Sequence, residues 1–374
     1  MLNKKKLLLA SGLLAMAGSA HAGYEIKLSD DDTLTFGGYI KLDTRYVDGN
    51  INSITKDYWV GAGNVGDISQ FSFRATESRF NTKYVHGDIT GFIEMDFHGG
   101  GGNEIVSNSS NPRLRHAFIK YKNILVGQTW STFVNTSALA EAADFAGPLN
   151  AAAFIRQGQI RYTQGNFQVA IENPESDKGD PSQDSVPDVI AKYTFKGDWG
   201  NVSVAGLARQ LNTVGGNSES AFGYGVAGKI KTFGKDDIRF QLHGGNTGRY
   251  VGVTAQKDLV GEKKEQSVSY MVAYRHFWTE DTRSSVFFGN LKAKESDNLS
   301  HACSMTESTD SDSDIKSWMK DRVEYLPGES WPESWVVQKC AENIDTLADL
   351  ISVDADELSD IIEQGLEAGK HNEF

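Results

Sequence analysis

The chain has 374 residues, 39% of them hydrophobic and 23% charged, with a formal net charge of −13. After residue 22 nothing offers the roughly 20 consecutive apolar residues that a membrane-spanning helix needs, and the bases are scattered without a patch, which argues against a nucleic-acid partner. The charge is uneven: residues 305–374 hold 18 acids and 5 bases, while residues 1–304 hold 32 of each.

Residues 1–22 read as a signal peptide. Lys4, Lys5 and Lys6 form a basic start, Leu7 to Ala17 an apolar run too short to span a bilayer, and Ala20-His21-Ala22 a small-x-small cleavage site. Export, with a mature start at Gly23, is the expectation. From Leu34 onward the chain alternates apolar and polar residues with period two. The pattern occupies 34–47, 69–86, 89–98, 112–121, 123–129, 156–164, 166–172, 187–196, 199–210, 220–232, 235–245, 266–277 and 282–293, about thirteen strands. Tight turns such as Gly165-Asn166 and Gly197-Asp198 alternate with long polar stretches such as 48–68, 99–111 and 246–265. That rhythm predicts an all-β, antiparallel transmembrane barrel, turns in the periplasm and loops outside, its apolar face against outer-membrane lipid. A soluble β-sandwich alternates too. Export, the number of strands, and aromatics at strand ends (Tyr84, Tyr121, Trp130, Tyr162, Trp199, Trp278) favour the barrel.

The stretch from Pro112 to Thr163 departs from the rhythm. Two alternating segments flank about twenty irregular, partly apolar residues closed by Gly147-Pro148, whereas most hairpin connections are about 2–5 residues. The flanking strands carry Arg113, Arg115, Arg156 and Arg161. A loop folded into the barrel opposite arginines describes a constriction. Parity assigns the wall. Phe80 and Tyr84 outward put Arg79, Asn81 and Lys83 inward; Leu114 and Phe118 outward put Arg113 and Arg115 inward; Ile160 and Tyr162 outward put Gln157, Gln159 and Arg161 inward. Lys41, Asp43 and Arg45 share the inward parity of the first strand. A phase change near Glu77-Ser78 points to a bulge and leaves Arg74 ambiguous.

The segments FGGYIKLDTRY, ATESRFNTK, GFIEMDFHG, RLRHAFIKY, LVGQTWSTF, DFAGP, RQGQIRYT and ENPES, in this order, resemble the DcaP-like porins. The resemblance covers about residues 30–300. It implies a sixteen-stranded, homotrimeric barrel in the outer membrane of a Gram-negative bacterium, associated with uptake of dicarboxylates and other small anions. It also implies that Ser131–Ala153 is the loop folded into the lumen, with Arg79, Arg115 and Arg161 lining the eyelet. Glu141 and Asp144 on that loop are expected to face this arginine wall, making a transverse field. The expected function is passive diffusion of small anionic solutes; the alternative is a non-conducting surface barrel or adhesin-like protein.

Other motifs carry less. Gly223-Tyr-Gly225-Val-Ala-Gly228 matches a dinucleotide fingerprint by letters, but a strand follows it where a helix is needed. Close packing of the wall explains those glycines. Glu94, Asp96 and His98 share a face without supplying a nucleophile, and no Gly-x-Ser-x-Gly elbow occurs. No enzyme activity, cofactor or metal is expected.

From Ser304 the strand register fades. Asp354 with Glu357 suggests a helix start, Leu358, Ile361, Ile362 and Leu366 one helical face, and Trp318, Trp331 and Trp335 a small core. Three of the sixteen strands implied by the resemblance are not readable. The expected division is a signal peptide at 1–22, a barrel at 23–303 lacking its last strands, and an acidic helical segment at 304–374, joined by fusion or frameshift.

Overall fold

The computed structural model describes residues 24–50, 67–142, 151–253, 256–280, 282–296, 299–309 and 336–337; for 45–50, 67–70, 104, 299–309 and 336–337 only the backbone is described. The expected signal peptide and the expected tail helices lie outside these residues. All described residues belong to one compact unit, 1–338.

The first strands are β1 (Tyr24–Lys27), β2 (Asp32–Tyr39), β3 (Asp43–Asn50), β4 (Asp67–Arg74), β5 (Arg79–His86) and β6 (Ile89–Asp96). Then come β7 (Arg113–Tyr121), β8 (Ile124–Trp130), β9 (Arg156–Gln164), β10 (Phe167–Glu172), β11 (Asp188–Gly197), β12 (Gly200–Asn212), β13 (Ser218–Lys231) and β14 (Asp237–Gly245). After two short loop strands, β15 (Leu259–Val260) and β16 (Lys263–Lys264), the wall continues with β17 (Ser267–Phe277), β18 (Thr282–Ala293), β19 (Leu299–Thr309) and β20 (Val336–Val337). Sixteen of them form one antiparallel sheet in the order β1-β2-β5-β6-β7-β8-β9-β10-β11-β12-β13-β14-β17-β18-β19-β20. Neighbours in the chain are neighbours in the sheet, the meander of an outer-membrane barrel. Among the described residues β1 and β20 are its two ends, and no pairing joins them.

Every expected strand is present, and thirteen was an undercount. The segment 34–47 divides into β2 and β3, and 69–86 into β4 and β5; β3 and β4 pair with each other as a separate hairpin beyond the main sheet. The division falls at the phase change expected near Glu77-Ser78. There the Ser78 hydroxyl accepts from the Lys41 N–H at 3.0 Å, and the buried Glu77 pairs with Lys41. β19 was missed altogether: it runs through Cys303 to Thr309, past the boundary expected at 303/304, and Val336–Val337 pairs with it.

The outward face is apolar and exposed from strand to strand: Phe80 and Tyr84, Ile119 and Tyr121, Ile160 and Tyr162, Tyr193 and Phe195, Val204, Tyr224, Leu242, Val272 and Val286. An exposed apolar belt that continues from strand to strand of such a meander is what a bilayer solvates. At the turn end, polar aromatics mark the edge of that belt. Tyr274 and His276 both reach Asp236, at 2.6 and 2.7 Å, and Trp278 packs edge-on against His276. Burial would raise the Asp236 carboxyl, but hydrogen bonds from Tyr274, the Phe277 N–H and His276 hold it below its ordinary value.

The inward face is not uniform. Along β5–β9 it is mainly polar and carries Arg79, Glu94, Asp96, Arg113 and Arg115. Along β11–β18 it presents Ile190, Ala205, Leu207, Met271, Phe287 and Leu291, all buried, against Phe133, Val134, Ala151 and Ala153 of the β8–β9 loop and Tyr250 and Val251 of the β14–β17 loop.

Candidate pore constriction

The basic wall is built on an irregularity of pairing. Between β6 and β7, Glu94 lies opposite His116 and Met95 opposite Leu114, so Arg115 is an extra residue. A bulge of this kind sends two successive side chains to the same side, and Arg115 and His116 are both buried. Beyond it the alternation is reversed. Ile119 and Tyr121 point outward, while Phe118 turns inward to meet Phe92 at 5.6 Å. The expected outward Phe118 is therefore corrected, and His116 is an inward residue that parity overlooked. Its Nδ1 lies 3.0 Å from the Thr129 hydroxyl.

Arg113 and Arg115 converge on two acids. Arg113 donates from Nε and Nη2 to Asp96 at 2.9 and 2.6 Å; Arg115 donates from Nε to Glu94 at 2.8 Å and from Nη1 to Asp96 at 3.0 Å. Asp96 is fully buried. The Glu94 and Asp96 carboxylates thus hold arginines in place. Arg79 lies over the Tyr39 ring at 5.4 Å. Arg156 stacks on Trp130 at 4.9 Å and lies within electrostatic reach of Arg79, Arg113 and Arg115. Arg161 donates to the Trp130 carbonyl at 3.5 Å, with Glu172 close enough to offset part of its charge. The structure therefore gathers Arg79, Arg113, Arg115 and Arg156, with Arg161 two strand positions deeper than Gln159 on β9.

Other expected site residues stand apart. Lys83 is inward by parity and exposed. Lys41 is tied to Glu77 and to Asp43 at 2.8 Å, in the break between β2 and β3. Arg45 pairs through its backbone with Ser72 on the outer hairpin, and its side chain lies outside the described ones. Asp144 is likewise outside the described residues.

The loop does enter the interior, but it lies against the opposite wall. Lys192 donates to the Val134 carbonyl at 2.9 Å, and Asn135 donates to Asn201, Ser203 and the Ala227 carbonyl at 3.0 Å each. Gln241 accepts from the Ala153 N–H at 2.9 Å. Gly225 is required by this fit: a Cβ there would meet His243 at 2.8 Å and Phe133 at 3.1 Å. Glu141 does not face Arg79, Arg115 and Arg161 as expected. It pairs with Arg275 at 2.7 Å and Arg283 at 2.6 Å, on β17 and β18. An acid reaching into a barrel takes the nearest arginine, and sequence spacing does not say which wall the loop will lie on.

A second network, unseen in the sequence, ties the long loops to the wall. Arg209 pairs with Asp188 at 3.0 Å and with Asp258, all three side chains having no exposed surface. Arg249 joins Asp188 at 3.1 Å. Burial, with the Asp188 and Glu172 carboxylates, pushes the Tyr250 phenol well above its ordinary value, so it donates as a neutral hydroxyl to Asp188 at 2.9 Å.

A sequence model of the family described as DcaP outer membrane protein matches residues 14–309. Among solved structures, the outer membrane channel DcaP of Acinetobacter baumannii superposes with a TM-score of 0.65 at 18% identity, covering 76% of this chain and 88% of that one. OmpF of Salmonella typhi, in complex with daunomycin, reaches 0.50 at 14% identity, covering 76% and 87%. The comparison with curated proteins returned no match. The family match ends at Thr309, the last residue of β19. A meander with an apolar belt outside, arginines inside and a loop folded into its interior is a porin-like channel of the Gram-negative outer membrane, and the chain belongs to the DcaP outer membrane protein family.

Proposed function

We propose that this channel passes small anionic solutes, dicarboxylates among them, by passive diffusion along the basic wall. The observation that carries the reading is the imbalance on that wall. Arg79, Arg113, Arg115 and Arg161 stand against Glu94, Asp96 and Glu172, and Arg156 at the start of β9 lies within electrostatic reach of Arg79, Arg113 and Arg115. Arg156 Nη1 and Arg161 Nε are buried donors that make no hydrogen bond among the described residues. Buried donors are ordinarily satisfied, and a carboxylate passing between two such guanidinium groups is the partner of matching charge and shape. A homotrimer in outer-membrane lipid is part of the proposal, as is an acidic segment appended beyond the porin wall.

The test is the reversal potential of the refolded chain in a salt gradient across a planar bilayer. Anion preference is expected, and Arg115→Glu and Arg161→Glu each move it toward cations by about tenfold in permeability ratio, because charge in a narrow site is weakly screened. Unchanged potentials in both variants remove the eyelet assignment, and a chain that inserts but stays silent favours a non-conducting surface barrel.

A further inference from the structure

Three arginines have no part in the wall just described. Arg239, Arg275 and Arg283 lie on β14, β17 and β18, about half a turn of the sheet away from β7. Ile238, Leu242, Val272, Tyr274 and Val286 point outward on these strands, so all three arginines point in. Pairing sets them beside one another: Arg275 stands opposite Asp237 and Ser285, and Arg283 opposite Phe277. All are within a few residues of the turns at 232–236 and 278–280, the turn end of the interior.

Two carboxylates serve the three guanidinium groups. Asp237 accepts from Arg239 Nε at 2.7 Å and from Arg275 Nη2. The other is Glu141, delivered by the inserted loop, which accepts from Arg275 Nη1 at 2.7 Å and Arg283 Nε at 2.6 Å. Arg239 also donates to the Leu139 carbonyl of the same loop at 2.6 Å. Arg275 Nε is buried with no hydrogen bond among the described residues. The group therefore keeps an excess positive charge and a spare donor with Glu141 in place. A carboxylate held between two arginine forks has the geometry of a bound carboxylate solute. Unlike Asp237, which is part of the wall, Glu141 arrives on a loop segment and is partly exposed.

We propose that Arg239, Arg275 and Arg283 form a second carboxylate site at the turn end of the interior, and that Glu141 occupies it as an internal ligand which a solute carboxylate displaces. The proposal rests on the anion reading of the channel and places a second station after the basic wall. Binding at successive sites, each weak enough to release, is how selective pores conduct. Displacement of Glu141 frees the tip of the inserted loop, so occupancy of the site and the position of the loop are linked.

The test uses the full chain in planar bilayers, with succinate as probe and inhibition of chloride current as readout, and calorimetric titration of succinate into the detergent-folded chain as a second measurement. Glu141→Gln removes the internal competitor, and succinate affinity is expected to rise roughly tenfold, the scale of a charge-assisted hydrogen bond. Adding Arg275→Gln and Arg283→Gln to that variant returns the affinity to the parent level or below. Glu141→Asp, which keeps the charge but shortens the reach, gives an intermediate affinity and covers the case of a poorly folding Glu141→Gln. If Glu141 is only a structural latch, Glu141→Gln enlarges conductance in potassium chloride and leaves succinate affinity unchanged, and that result overturns the proposal. The reversal potential of the parent chain is read separately. Cation preference there sinks the anion reading, whereas anion preference with no succinate effect at Glu141 sinks only the second site.

Discussion

The interior walls on β5–β9 and on β11–β18 obey the same alternation and show lipid the same kind of apolar face, yet they are finished differently. On the first, Arg79, Arg113, Arg161 and Glu94 remain partly exposed, and the acids serve to hold arginines in position. On the second, Ile190, Leu207, Met271, Phe287 and Leu291 are buried under Phe133, Val134, Ala151 and Ala153. One wall is left wet and charged; the other is a seat for the inserted loop. The difference shows how a barrel whose every strand alternates can still have an asymmetric interior. The loop needs apolar surface to fold upon, and placing that surface on one side leaves the partly exposed Arg79, Arg113 and Arg161 on the other uncovered by it.

Shortening the inserted loop is the most drastic way to break this comparison. Deletion of Thr136–Ala146 takes away Ala138, Glu141 and the carbonyls that accept from Arg239 and Gln241. Loops contribute little to a hydrogen-bonded wall, so the expected result is a folded, heat-modifiable barrel with conductance raised by about twofold or more. Equal or lower conductance in single-channel records places the loop elsewhere.

Asp258→Ala should be the next largest effect. It leaves Arg209 fully buried beside Asp188 alone, and breaking a buried ion pair costs about 3–5 kcal/mol. The loss falls on the clamp between the β14–β17 loop and the wall, so proteolysis within residues 256–266 should increase in intact barrels. An unchanged cleavage rate indicates that the loop is held by its other contacts.

Phe133→Ala sharpens the contrast without deleting anything. The ring fills the space between Gly225, His243 and Tyr250, and buried Phe→Ala substitutions cost about 3–5 kcal/mol when the site cannot collapse. Only part of that is expected here, because the glycine-lined seat can relax. Current noise should rise while ion preference stays the same. A changed preference would show that the apolar seat also shapes the charged path.

The smallest effect concerns the turn end. Because the Asp236 carboxyl titrates below its ordinary value, its bonds to Tyr274, His276 and the Phe277 N–H add stability above the unfolded carboxyl value of about 3.9. That contribution is lost as the pH falls through the lower folded value. Asp236→Asn should remove this acid sensitivity from the melting of detergent-folded protein, and an identical acid profile in parent and variant argues against it.

Much of the wall was legible from residues alone, because a period of two is a local property. Phe80 against Arg79, or Ile160 against Arg161, need only their neighbours to be assigned a face, and Phe80 and Ile160 are exposed as that assignment requires. The glycines at 223, 225 and 228 were legible as packing positions for the same reason: a strand follows them. The failures share a different cause. Arg115 and His116 point the same way because β7 slips by one residue against β6, and a slip exists only between strands. β19 alternates weakly, with His301, Ser304 and Thr306 in its run, so pairing with β18 reveals what its own pattern does not. Glu141 could be recognised as a loop acid, but its partners Arg275 and Arg283 lie more than a hundred residues away, on a wall chosen by where Phe133 and Ala151 find apolar neighbours. Local alternation, set by the geometry of the extended chain, determined which face each strand residue takes. The side of the barrel that receives the loop, and with it the partner of every charge on that loop, was decided only by packing between distant segments.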